Sequence, residues 1–197
     1  ADLAGHISGY ARRPETLARA REIGFADTLT GSIPEAVKDA DLVVLATPVG
    51  SFGEIAAEMA PHLKTGAIVS DVGSVKSAVL RDVGPHIPDG VHFIPAHPIA
   101  GTEQSGPDAG FAELFDNRWC VLTPPPGTDK DALARLRTFW ERCGSNVDVM
   151  EAKHHDLALA ITSHVPHLIA YNIVGTADDL ETVTEGEVIK YSAGGFR

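Results

Sequence analysis

Asp41-Leu42-Val43-Val44-Leu45-Ala46-Thr47 is a continuous β-rich run with no polar residue between its ends. Alternation of apolar and polar residues would mark a strand wet on one face, and an unbroken run marks one covered on both. Helical patterns flank it. Ile33 to Ala40 reads as a short helix before it, and Ser51 to Leu63 as a longer one after it. The same alternation continues outward. Ahead lie a strand over 6–11 and a helix from Pro14 to Ile23, with Pro14 suited to a first turn and Gly24 to a stop. Behind lie an apolar strand over 67–71, a helix from Ser74 to Val83, and strands over 91–94, 120–122 and 147–149. A helix over 129–143 separates the last two strands. Strands alternating with helices predict a doubly wound, Rossmann-like α/β fold with a parallel sheet. From Glu151 the pattern becomes helical throughout, with helices expected over 152–173 and 180–191. A boundary near residue 150 divides a sheet domain, 1–150, from a helical segment, 151–197, too short to bury its own core.

Composition excludes several classes. The chain has 197 residues, 44% hydrophobic and 22% charged, the balance of a water-soluble globular protein. A net charge of −11 gives nucleic-acid binding no electrostatic footing. Cys120 and Cys143 have no metal-type spacing and read as core thiols of a reducing compartment. No uninterrupted apolar run reaches membrane length, and no basic-then-apolar leader opens the chain. No membrane association is therefore expected, and the cytoplasm is the expected location.

In a doubly wound sheet, ligands bind outside the carboxyl ends of the strands. Three such ends carry polar or special residues: Thr47-Pro48-Val49, Asp71-Val72-Gly73-Ser74, and His97. His97 stands between Pro95 and Pro98, which stiffen its support, and Gly101 and Gly106 follow. An imidazole held there suits proton transfer, although a surface histidine in a Pro/Gly loop would look the same. Ser74 suits an N-cap, and Lys76 reads as a first-turn surface lysine. Thr47-Pro48 also suits a plain strand stop. His164 and His167 lie three apart on a helix with nothing to complete a metal site, so no metal is expected. Pro166 should kink that helix. His154, His155 and Asp156 read as solvent-facing.

Four stretches, in order, resemble the prephenate and arogenate dehydrogenases of tyrosine biosynthesis: Ser70-Asp-Val-Gly-Ser-Val-Lys76, His97-Pro-Ile-Ala-Gly-Thr-Glu103, Ser163-His-Val-Pro-His167 and Gly194-Gly-Phe-Arg197. The resemblance implies NAD(P)-dependent oxidative decarboxylation, with His97 as the proton acceptor and Ser74 hydrogen bonding near it and the nicotinamide. It implies substrate contacts at His167, Ser163, His164, Gly101 and Thr102. The cofactor wall would include Thr47, Pro48, Val49, Asp71 and Gly73. It also implies that the family's glycine fingerprint would precede residue 1, since Gly5 and Gly9 do not supply it. A further substrate arginine would lie beyond Arg197. The chain thus reads as truncated at both ends, and poor cofactor binding is expected of the 197 residues alone.

Where the second strand of such a fold ends, an acid marks NAD and arginines accommodate the phosphate of NADP. That place falls at Ala11, followed by Arg12 and Arg13, so NADP should be accepted, with a lean toward it over NAD. Two other readings stay open. One is a hydroxy-acid or imino-acid reductase of the same fold, whose lysine could be only Lys153 or Lys190. The other is a non-catalytic binding module. Apolar positions from Leu157 to Ile173 occupy more than one helix face, which predicts a homodimer through the helical segment.

Overall fold

The computed structural model describes residues 3–101 and 104–184. Among these, β1 (Ser8–Tyr10), α1 (Pro14–Ile23) and β2 (Thr28–Thr30) open the chain. α2 (Ile33–Val37), β3 (Leu42–Leu45), α3 (Phe52–Met59), β4 (Ile68–Asp71) and α4 (Ser77–Val83) follow. Next come β5 (His92–Phe93), β6 (Ala96–Pro98), β7 (Trp119–Leu122), α5 (Lys130–Arg142) and β8 (Asn146–Val149). α6 (Ala152–Leu159), a π-helical turn (Ala160–His164) and α7 (Val165–Thr184) complete the described chain. Two compact units result, Ala1–His155 and Asp156–Arg197.

Local chemistry sets the helix ends. α1 begins at Pro14 and stops at Gly24, whose φ of 75° is the left-handed geometry glycine adopts without a Cβ penalty. The Ser32 hydroxyl caps α2 by accepting from Glu35 N–H, and the Asp129 carboxylate caps α5 by accepting from Ala132 N–H. Each cap contributes about 1 kcal/mol.

β3, β4 and β5 form a parallel sheet with Val43 beside Val69 and Leu42 beside Ile68. Successive residues point to opposite faces. Val43 and Val69 pack with Phe52, Met59, Val79 and Val83 of α3 and α4. Leu42 and Ile68 pack with Leu136 and Trp140 of α5. All four residues of β4 are buried. The sheet is therefore covered on both faces, and each fully buried aliphatic side chain contributes about 1.5–3 kcal/mol. Burial pushes the Cys120 thiol up to about 12, the behaviour of a core cysteine.

The structure departs from the sequence pattern at several places. The strands are not all parallel: β6 runs antiparallel to β7, which pairs in parallel with β8. β1 pairs in parallel with β2, a three-residue strand that the sequence pattern did not announce. α4 begins at Ser77 and not at Ser74, with Lys76 at its cap position and no side-chain cap bond. In the second unit, α7 runs unbroken to Thr184 where two helices were expected, and residues 185–197 lie outside the description. Pro166 lies in the first turn of α7. The widened turn 160–164 ends two residues before it, in the stretch whose carbonyls a proline at 166 cannot bond. As a helix, 152–180 is long and apolar enough to cross a membrane, by length and composition alone, although its charged and histidine residues interrupt the sequence run.

Candidate active site

β4 ends in Asp71, whose carboxylate turns inward and is fully buried. Its Oδ2 accepts from Gly73 N–H at 2.8 Å and from the Lys76 ammonium at 2.5 Å. Its Oδ1 accepts from Ala96 N–H at 3.1 Å, while Lys76 Nζ donates to the Ala96 carbonyl at 2.6 Å. The ion pair thus grips both polar groups of the residue preceding His97. Burial pushes the Asp71 carboxyl above its ordinary value, against the opposing pull of Lys76 and the two backbone N–H groups. This corrects one expectation. Lys76 is not a surface lysine but wholly interior, and the Asp71 side chain is buried with it.

The same grip explains why β6 leaves the parallel sheet. The ladder from β4 ends where Ile94 N–H donates to Val69 O at 2.9 Å, and Pro95 has no N–H to extend it. The next amide, Ala96, finds the Asp71 side chain where a main-chain carbonyl would stand. The strand then pairs with β7, placing His97 opposite Val121. His97 therefore sits within a strand and not on a loop.

His97 is 8% exposed. Its Nδ1 lies 2.9 Å from Nε2 of His155, with the rings edge-on at 70° and 5.1 Å between centroids. His155 is fully buried, whereas His154 is exposed and Asp156 half-buried. Of the three residues read as solvent-facing, His155 is thus the plain error, and the helix turn aims it at β6.

Gly73 sits where any side chain would collide. A Cβ there would lie 2.9 Å from Asp71 Oδ2 and 2.9 Å from Val49 Cγ2. Gly73→Ala is expected to cost about 1–3 kcal/mol, as other overpacked buried sites do. Thermal unfolding checks this, and an unchanged midpoint would contradict the close approach. Ser74 is exposed, free of the capping role. Ser51 Oγ donates to Pro48 O at 2.7 Å, so Thr47 must supply the hydrogen in the 2.9 Å contact between the two hydroxyls. Pro48 is exposed and Val49 half-buried. Beyond β1, Ala11 is half-buried and the exposed Arg12 and Arg13 precede α1. Gly101 and Gly106 have φ of 131° and 91°, and Thr102 lies outside the described residues. The loop after Gly106 is tied to α1 by Arg19, whose Nε donates to Asp108 at 2.8 Å.

In the second unit, Ser163 and His164 are half-buried within the widened turn. His167 is exposed, and its Nδ1 lies 2.9 Å from Ser163 O. A carbonyl only accepts, so Nδ1 carries the hydrogen and leaves Nε2 for a ligand. Lys153 is exposed and Lys190 lies outside the described residues. Among the described residues no group of three His, Cys, Asp or Glu side chains could hold a metal. The sequence reading missed the buried Lys76 and His155. The one available signal for Lys76 was its five-residue spacing from an acid at a strand end.

The model of the prephenate dehydrogenase nucleotide-binding domain matches residues 3–149, and that of the dimerization domain of the same enzymes matches 151–197. The chain is 43% identical to a cyclohexadienyl dehydrogenase of Zymomonas mobilis, over 97% of this chain and 65% of that protein. It is 31% identical to a prephenate dehydrogenase of Bacillus subtilis, over 97% of this chain and 52% of that protein. The structure of A. aeolicus prephenate dehydrogenase in complex with hydroxyphenyl propionate and NAD+ superposes with a TM-score of 0.89 at 35% identity, covering 99% of this chain and 68% of that one. The chain thus spans about two thirds or less of the length of these relatives. With both family models matching in order across nearly all of its length, the chain belongs to the prephenate dehydrogenase family.

Proposed function

We propose that this chain is the core of an NAD(P)-dependent dehydrogenase acting on prephenate or arogenate, with His97 as the proton acceptor. The observation that carries this reading is the support of His97: one imidazole, nearly buried, on a strand anchored through Ala96 by a buried ion pair. A general base needs this fixed geometry before it needs anything else. His97 would take the proton of the ring hydroxyl as the carbon beneath it becomes a carbonyl. The ring then loses its carboxylate as carbon dioxide and becomes a phenol. A bound nicotinamide would supply the hydride acceptor. Thr47, Pro48, Val49 and the flat surface at Gly73 would line the cofactor, with contact at 71–73 made by main chain and not by the Asp71 carboxylate. Ser74, exposed, is available to the reacting groups. Ser163, His164, His167, Gly101 and Thr102 would contact substrate, His167 through Nε2.

The test is an assay of prephenate and arogenate with each cofactor in a full-length homologue, following nicotinamide reduction together with carbon dioxide release. Reduction without decarboxylation would point to a hydroxy-acid reductase, and no binding of cofactor to a binding module.

Arg12 and Arg13 fit a 2′-phosphate, being exposed and without an ion pair or side-chain hydrogen bond among the described residues. NADP should accordingly bind at least as well as NAD. In a chimera with a homologue's glycine loop ahead of residue 1, Arg12→Ala should weaken NADP about five- to tenfold, roughly 1–1.4 kcal/mol, and leave NAD unchanged. Paired titrations decide it. NAD binding tenfold tighter than NADP, or no NADP loss in the variant, would overturn the assignment.

The exposed apolar residues of the second unit, among them Leu157, Ile161, Leu168 and Tyr171, support a homodimer through the helices. Their covering by a partner accounts for a membrane-length helix in an enzyme proposed to work in the cytoplasm.

A further inference from the structure

We infer that His155 is a positioning residue for His97, accepting at its Nε2 a hydrogen bond from His97 Nδ1–H. The inference deepens the proton-acceptor reading above and rests on it for its functional sense.

Two ring nitrogens 2.9 Å apart share one hydrogen, so one ring donates and the other accepts. The two arrangements have opposite consequences. If His155 donated, His97 would accept at Nδ1, and a neutral His97 would then carry its own hydrogen on Nε2. That ring has no lone pair left to take a proton from a substrate. If His97 donates, its Nε2 is bare and basic, and the imidazolium formed on protonation keeps the same bond. Only the second arrangement makes His97 a base, and the partner of one imidazole nitrogen decides which tautomer is present.

The geometry suits a fixed acceptor. His155 is wholly buried, so it does not reach solvent or substrate and acts only through His97. Its backbone N–H is held by Glu151 O at 2.9 Å in the first turns of α6. His97 is held in register opposite Val121 on β6. Strand and helix therefore fix the two rings independently, which keeps the shared hydrogen on one line.

The tautomer is a property of the chain without substrate or cofactor, and nitrogen-15 NMR of its histidine rings reads it directly. Proton–nitrogen correlations of the neutral rings should show His97 protonated at Nδ1 and bare at Nε2. His155→Ala should lose that bias, giving a mixture or the Nε2–H form. His155→Gln, which offers a side-chain carbonyl, should restore it. In a full-length homologue the alanine variant should lower kcat about tenfold with KM within twofold. His97 found protonated at Nε2 in the parent chain overturns the inference, as does an unchanged ring pattern in the alanine variant. Should that variant not fold, the parent spectrum alone decides. An Nδ1–H tautomer found alongside an active His97→Asn enzyme would remove the base role and leave the tautomer assignment standing.

Discussion

His97→Asn in a full-length homologue is expected to lower kcat about 100-fold or more, the contribution of a positioned general base. That corresponds to roughly 2.7 kcal/mol of barrier. Asparagine keeps a polar planar group of similar reach but cannot take up a proton near neutral pH. The fold should hold, its loss limited to the bond between His97 Nδ1 and the buried His155. The bonds that hold β6 run through main-chain atoms of Pro95, Ala96 and Ile99, none of which depends on the imidazole. Loss of turnover in a chain that still unfolds cooperatively, with a midpoint lowered by no more than one buried hydrogen bond, is therefore the expected pair of results. Turnover within about threefold of the parent would remove His97 from the chemistry.

Lys76→Met should be the most destabilising single substitution considered. It leaves the Asp71 carboxylate fully buried without its cation, and the Ala96 carbonyl without its ammonium donor. Breaking a buried pair from one side costs about 3–5 kcal/mol. For a chain of this length that is a fall of roughly 10 °C in the unfolding midpoint. Adding Asp71→Asn removes the stranded charge and keeps one oxygen, which accepts from Gly73 N–H or from Ala96 N–H but not from both, because the two meet different oxygens of the carboxylate. The double variant should recover part of the loss, since one buried N–H is still left without its acceptor. Equilibrium unfolding of the two variants checks both halves. A single variant within about 1 kcal/mol of the parent would mean that water or another group replaces the ammonium.

What could be read from the sequence was local. Pro14 and Gly24 bound α1 by rules that act within a turn, and structure and reading agree on both ends. The run at 42–45 reveals a strand because burial on both faces leaves no polar residue to confuse the pattern, and at 67–69 the apolar Ala-Ile-Val does the same before Ser70 and Asp71. His97 stood out as a proton-transfer candidate by its chemistry and its prolines. What it rests on was hidden, because each part lies far along the chain. Lys76 meets a carbonyl twenty residues away, and His155 meets its partner fifty-eight residues away. In each case a polar side chain near the start of a helix is most often wet, and burial reversed the usual outcome. β6 was obscured for a similar reason. Two prolines around a histidine read as a stiff loop, and only β7, more than twenty residues later, makes the segment a strand.

The Ala96 grip has a consequence for how the position of His97 is written into the chain. A rung between two strands is normally made by groups that every residue carries, so its presence says nothing about which amino acids stand there. Here the rung joining β4 to β6 is supplied by one carboxylate and one ammonium. The placement of the imidazole is thereby spelled in two particular letters, Asp71 and Lys76, where backbone would have left it to composition and length. A reader of sequences gains from this. An acid at a strand end with a lysine five places on becomes a mark of where the proposed proton acceptor stands.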